Sequence, residues 1–328
     1  MTKHLFIISL LIPCFAFSQY DAIVFEGAGI RGIAYCGVIR ALEKDNKMDE
    51  IRKFGGTSAG AITAMLLSIG YTSSEIESEL AVLKLDKFNS KKGFVFGALA
   101  RMNKQYGWYK TDELKKWLKN LILRKTGNAE IRLKDLPILG YGDLYCVATC
   151  LNKQSVRILS KDTYPEMKVY DAVAISCSIP WYFEAAFVDE LGQVYDTPAP
   201  NRDVLVDGGI IANYPIFIFD EFDEEGNRIR NNAVLGVRID DGLWGIEVPL
   251  QSQKTIENVQ DFSGAVYTVM IETANSAYLS EADRNRTIIV SSCGVGPKVR
   301  NLKSEDRVKL IQEGYHACSC FLSDVIKT

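Results

Sequence analysis

Residues Gly55-Gly56-Thr57-Ser58-Ala59-Gly60 decide how this chain is read. Within them Gly56-Thr57-Ser58-Ala59-Gly60 fits G-x-S-x-G, the pattern that sets a nucleophilic serine on a sharp strand-to-helix turn. Gly56 and Gly60 flank the serine and permit the strained backbone and close packing that such a turn demands. The surroundings agree: Ile51 to Phe54 reads as a short strand running into the motif, and Ala59 to Ile69 as a helix leaving it, ended by Gly70. A plain strand-to-helix loop has the same local composition, so the motif takes its weight from the rest of the chain.

Upstream, residues 21–26 read as a buried strand and residues 33–44 as a helix, with the turn Gly27-Ala28-Gly29-Ile30-Arg31-Gly32 between them. Gly27-x-Gly29-x-x-Gly32 in that setting satisfies the dinucleotide-binding fingerprint. That use calls for an acidic residue at the end of the second strand to hold a ribose. Here the second strand runs into the serine motif, and Asp45, Asp49 and Glu50 precede it. The better use of the glycines is to bring backbone N–H groups, at the positive end of a helix, close to a reacting oxygen.

The chain holds two histidines, His4 and His316. His4 lies in a candidate export signal, and His316 sits in the last amphipathic helix between Tyr315 and Ala317, where a structural role fits better than a catalytic one. If Ser58 is a nucleophile, its base is then a carboxylate. The candidate is Asp207 in Val204-Leu205-Val206-Asp207-Gly208-Gly209, at the carboxyl end of a strand, with Asn213-Tyr214-Pro215 downstream to pin the loop. Aspartate is ionised at neutral pH and is a weak base, so it must stand within about 3 Å of the serine hydroxyl to help.

Further strands are expected at Leu144 to Cys150, Val156 to Leu159, Ala233 to Ile239 and Thr287 to Val290. Further helices are expected from Thr72, from Thr111 to Leu121, over Val169 to Ser176, near 257–277 and from Ser304 to Ile326. This alternation predicts an α/β fold, a mostly parallel sheet with helices on both faces and its site at the carboxyl ends of the strands. At 328 residues, 47% hydrophobic and 24% charged, the chain has the makings of a large core. A net charge of −3 and the lack of a basic block exclude a nucleic-acid partner. Phe94, Phe96, Leu99 and Met102, with Lys91, Lys92, Arg101 and Lys104 around them, form either a buried helix or a cation-rimmed flap that touches lipid aggregates.

Lys3, the apolar run Leu5 to Ile12 and the small residues of Ala16-Phe17-Ser18 read as a signal peptide over residues 1–18. The alternative is a buried first element. With cleavage after Ser18, residues 19–328 form one domain, exported to the periplasm, the outer membrane or the medium. Its core motifs span 21–219, and the C-terminal α/β part belongs to the same domain. Seven of the eight cysteines remain, an odd number that cannot pair fully. Cys146 and Cys150 share one strand about 13 Å apart, too far for a bridge. Most read as small core residues, with one long-range disulfide open to an exported chain. Without C-x-x-C, and with almost no histidine, no metal site is expected.

The glycine turn, the Ser58 motif and Asp207-Gly208-Gly209, in this order, resemble the patatin-like phospholipase family. The likeness extends to Gly37-Val38-Ile39-Arg40-Ala41-Leu42, to Ser176-Cys177-Ser178-Ile179-Pro180 with Phe183, and to Ile210-Ile211-Ala212-Asn213-Tyr214-Pro215, and so to most of residues 20–326. The resemblance implies a three-layer α/β fold and a Ser58–Asp207 dyad that hydrolyses acyl esters of lipids at a membrane or micelle surface, without cofactor. It implies an oxyanion hole formed by Gly27, Ala28, Gly29, Ile30, Arg31 and Gly32, with Gly56, Gly60, Gly208 and Gly209 supporting elbow and dyad. Arg31 would match the family's basic residue and favour anionic head groups. Ala28 departs from the glycine common there; its methyl narrows the hole and leaves the N–H donor. A lipid-binding protein without turnover is the rival reading, and a dinucleotide-binding protein a more distant one.

Overall fold

The computed structural model describes residues 20–83, 102, 104–240, 256, 262, 265–266, 268–270, 280–296 and 302–325. The expected signal peptide lies outside them, and the proposed flap and the helix near 257–277 fall almost wholly outside.

The first strand, β1 (Ala22–Phe25), is buried throughout and leads through a 3-10 helix (Gly29–Ala34) into α1 (Tyr35–Lys44). β2 (Lys53–Thr57) takes in the elbow's own glycines and ends one residue before Ser58. It hands over to α2 (Ala59–Ser68), whose residues are buried almost all round, as an interior helix requires. Then come α3 (Ser73–Val82), with a Thr72–Glu75 capping box, the short β3 (Gly107–Tyr109), α4 (Asp112–Thr126), closed by Gly127 at φ 74°, and α5 (Asp135–Ile138). β4 (Asp143–Cys150) and β5 (Ser155–Leu159) form a hairpin, followed by α6 (Val169–Ser176). The chain continues through β6 (Trp181–Phe183), β7 (Ala186–Val188), β8 (Val194–Tyr195) and β9 (Asp203–Asp207) to α7 (Gly209–Ala212). β10 (Glu221–Phe222) pairs with β11 (Arg228–Ile229). β12 (Val234–Ile239), α8 (Glu281–Arg284), β13 (Thr287–Val290) and α9 (Ser304–Val325) complete the chain.

Among the described residues the main sheet has nine strands. Its centre, β13-β12-β1-β2-β4, is parallel, as the alternation of strands and helices requires. β5, β9, β7 and β8 add antiparallel pairings. The expectation that Asp207 ends one more parallel strand is therefore corrected: β9 runs against β4.

β4 has three partners, and their overlap fixes the layout. β5 pairs with Cys146 to Cys150 and so occupies one edge. β2 pairs with Asp143 to Val147 and β9 with Ala148 to Cys150, so both lie on the other edge, end to end. The main core joins α1, α2, α4, α6 and α9 to the Ile23 and Phe25 face of the sheet. Ala22 and Val24, on the opposite face, are covered by Tyr214 and the 3-10 turn Ile216–Phe219.

α9 crosses α1 at two glycines. A Cβ on Gly37 would stand 1.9 Å from the Ile311 carbonyl oxygen, and one on Gly314 would stand 2.1 Å from that of Ala34. Neither helix could come this close with a larger residue. No disulfide joins the seven described cysteines, against the option of one long-range bridge. Five are buried, and Cys293 and Cys320 are exposed.

Candidate functional site

Thr57 is in register with Val147, and Asp207 with Ala148, the next residue of β4. Had β2 continued, Ser58 would have paired with Ala148, a place that the end of β9 already holds. The chain turns off the sheet there instead. The carboxyl ends of β2 and β9 thus stand at successive residues of β4, although Ser58 and Asp207 are far apart in sequence.

The turn is strained. Ser58 has φ 53° and ψ −119°, a conformation that a non-glycine residue holds at a cost of about 1–3 kcal/mol. Its carbonyl accepts the first α2 bond from Ile62 N–H at 3.1 Å. Close packing sustains the bend. A Cβ on Gly60 would lie 2.3 Å from the Phe25 carbonyl oxygen, and one on Gly56 would lie 2.4 Å from the Gly60 carbonyl carbon. Ser58 is half-buried and therefore open to a substrate, whereas Asp207 is fully buried.

Hydrogen bonds join the three motifs. Gly209 N–H donates to Asp207 Oδ1 at 2.8 Å. The Thr57 hydroxyl donates to the Ala212 carbonyl at 2.8 Å, tying the elbow to the loop that follows Asp207. Asn213, 1% exposed, closes a reciprocal pair with the glycine turn: Gly27 N–H donates to the Asn213 carbonyl at 2.9 Å, and Asn213 Nδ2 donates to the Gly27 carbonyl at 2.8 Å. The pinning role read for Asn213-Tyr214-Pro215 thus has a definite form. Gly208 crosses Val147 so closely that a Cβ would stand 2.4 Å from its carbonyl oxygen.

The turn's amides differ in what they can offer. Those of Gly27 and Arg31 are engaged, by Asn213 and by the Ala28 carbonyl at 3.1 Å. Gly32 lies one turn into the 3-10 helix. Ala28, Gly29 and Ile30 stand at the start of that helix, where backbone N–H groups have no intrahelical partner; Ala28 itself is buried and Gly29 is exposed at φ 55°. The Arg31 guanidinium folds back, with Nε donating to the Ala28 carbonyl at 3.3 Å, so it supports the turn.

A buried charge network beneath this turn went unread in the sequence. Glu26, 1% exposed, lies 3.6 Å from Arg238, also 1% exposed, and accepts from Ile239 N–H at 2.8 Å. Arg238 also meets Asp240 at 3.3 Å. Burial pushes the Glu26 carboxyl above its ordinary range, and the positive charges of Arg238 and Arg31 oppose that shift. An arginine inside Val234-Leu235-Gly236-Val237-Arg238-Ile239 was the available signal, since a charge in a buried strand requires a partner. Cys177 was missed as well. Its thiol is held well above the usual range by burial and by the Asp207 charge, while a hydrogen bond with Ser58 opposes the rise.

The end of β2, where a ribose-binding acid would stand, is taken by the elbow. His316 lies on the exposed side of α9, with Nε2 3.7 Å from Cys320 Sγ. Among the described residues no group of three His, Cys, Asp or Glu side chains could hold a metal ion. No described helix is long and apolar enough to cross a membrane.

A family model, patatin-like phospholipase, matches residues 23–220, more than half of the chain, and the chain belongs to that family. The "Uncharacterized protein YqhO" of Bacillus subtilis is 27% identical over 315 residues, covering 91% of this chain and 97% of YqhO. The "Probable lipid hydrolase 463L" of Invertebrate iridescent virus 6 is 25% identical over 224 residues, covering 66% of this chain and 69% of that protein. Among solved structures, VipD from Legionella pneumophila aligns with a TM-score of 0.57 at 18% identity, over 93% of this chain and 67% of VipD, a likeness of fold.

Proposed function

We propose that this protein is a serine hydrolase that cleaves fatty-acyl esters of phospholipids or related lipids through Ser58 and Asp207. The reading is supported by the end-to-end meeting of β2 and β9 on one edge of β4, since a strained, accessible serine follows the first strand and a buried carboxylate ends the second. Family membership and the name of the iridescent virus relative support a lipid ester as substrate.

Ser58 Oγ attacks the ester carbonyl while its proton passes to Asp207. The carbonyl oxygen becomes an oxyanion, held by the amides of Ala28, Gly29 and Ile30 and by the positive end of α2; each such donor is worth about 3 kcal/mol of barrier. The intermediate collapses, and the leaving alcohol takes the proton from Asp207. Water, deprotonated by Asp207, then releases the fatty acid from the acyl-enzyme.

Ser58→Ala is expected to abolish release of fatty acid from phospholipid vesicles and labelling by a fluorophosphonate probe. Retained hydrolysis would refute the assignment, and lipid binding without hydrolysis in the unaltered protein would favour the silent lipid binder. We further propose export, with cleavage after Ser18. Tyr20, the first described residue, is buried and would be kept by that cut. N-terminal sequencing of the protein recovered from cells should start at Gln19; a start at Met1 would remove the proposal.

A further inference from the structure

We propose that Ser176, whose hydroxyl lies between Ser58 and Val147 where β2 gives way to β9, is a positioning residue that sets the spacing of the dyad. This inference rests on the dyad reading and adds a residue to it.

A strand that leaves its sheet must find new partners for its backbone groups. Ser58 N–H, at the point where β2 turns away, donates to Ser176 Oγ at 3.0 Å. The same hydroxyl donates to the Val147 carbonyl at 2.6 Å. Val147 is the β4 residue in register with Thr57. Ser176 thus replaces, with one side chain, the ladder contact that the break between β2 and β9 interrupts. It is fully buried at the last position of α6, so neither bond competes with water.

Two residues on, the Ser178 carbonyl accepts from Asp207 N–H at 2.9 Å. The end of α6 therefore holds the backbone nitrogens of both dyad members, 149 residues apart in sequence, through a single tripeptide. The Ser178 hydroxyl donates to the Ala174 carbonyl at 2.8 Å, fixing the tripeptide to its own helix. Cys177, between the two serines, is buried.

The role calls for a group that donates and accepts at once. Alanine does neither, and a thiol of similar shape does both weakly. Without the hydroxyl, the Ser58 amide and the Val147 carbonyl lose a buried partner, and the strained elbow relaxes away from Asp207.

The test uses the full chain with Ser176→Ala, Ser176→Cys and, as blank, Ser58→Ala. kcat and KM are measured on a soluble nitrophenyl acyl ester, together with the rate of fluorophosphonate labelling per folded molecule. For Ser176→Ala, kcat and labelling rate should fall together by 10- to 100-fold, with KM within twofold. Should that variant not fold, Ser176→Cys, which keeps the shape, should still lose at least tenfold in labelling rate. A folded variant with unaltered kcat and labelling, or a loss confined to KM or to the folded fraction, overturns the inference. Activity that survives Ser58→Ala refutes the dyad itself; activity that needs Ser58 and ignores Ser176 refutes this inference alone.

Discussion

At the amino ends of β12 and β13, Asp220 and Asp283 lie among three arginines, Arg228, Arg230 and Arg286; at the carboxyl ends of β2 and β9, Asp207 accepts from the neutral amide of Gly209. Arg286 grips Asp220 through two bonds of 2.7 Å and reaches Asp283 at 2.8 Å, while Arg228 holds Asp283 through two bonds of 3.0 Å. Both of these carboxylates are fully buried. Burial alone would raise them, yet hydrogen bonds from the arginines outweigh it and hold both below the usual carboxylate range. Such groups are stable anions and poor proton acceptors. The two ends of the sheet thus teach how one fold divides its aspartates: Asp220 and Asp283, which tie elements together, are neutralised by cations, whereas Asp207 is oriented by the peptide N–H of Gly209.

That division can be broken by substitution, and the largest effect belongs to the proposed dyad. Asp207→Asn keeps the shape and removes the proposed base, so kcat on a soluble ester should fall about a thousandfold. A fall of less than tenfold would mean that Asp207 does no more than Asp220 or Asp283. Asp283→Ala should do the reverse. It leaves Arg228, Arg230 and Arg286 short of a buried partner and should cost about 3–5 kcal/mol, read as a lower midpoint in urea. Its kcat per folded molecule should stay at the parent value, and a selective loss of kcat would dissolve the distinction between the two ends.

The smallest effect sharpens the same comparison through pH. For carboxylates lowered in the folded state, the stabilisation is complete above their unfolded values near pH 4 and is lost as pH falls through the folded ones. The melting temperature should therefore hold from pH 7 to about pH 5 and drop below about pH 4. Asp220→Asn should flatten that drop; an unaltered acid limb would assign it to other groups.

The sequence was most legible where chemistry is local. The glycine turn, the elbow and Asp207-Gly208-Gly209 each carry their reason within six residues, and the helices after the first two begin within a residue or two of expectation, whereas the short helix Gly209–Ala212 was not expected. The direction of β9 was not legible, because Val204-Leu205-Val206 reads alike along either strand sense. The short strands at 181–183, 186–188 and 194–195 that turn the chain around are too brief to show a period. Partners remote in sequence were equally hidden. Ser176 bonds to residues 118 and 29 positions away, and Asn213 to one 186 positions away. Nothing in a run such as Ala174-Ile175-Ser176-Cys177 distinguishes that serine from any other at a helix end.

The crossing of α9 over Gly37 has a consequence for the order in which the fold closes. The elbow is encoded in the first fifth of the chain, yet β1 needs β12 as a neighbour, and α1 is clasped by the very last helix. Contacts of such long range close late, after the entropy of large loops has been overcome. The serine elbow can therefore form before the turn that leads into α1 is held in place, and that turn is fixed only once the C-terminal helix has docked.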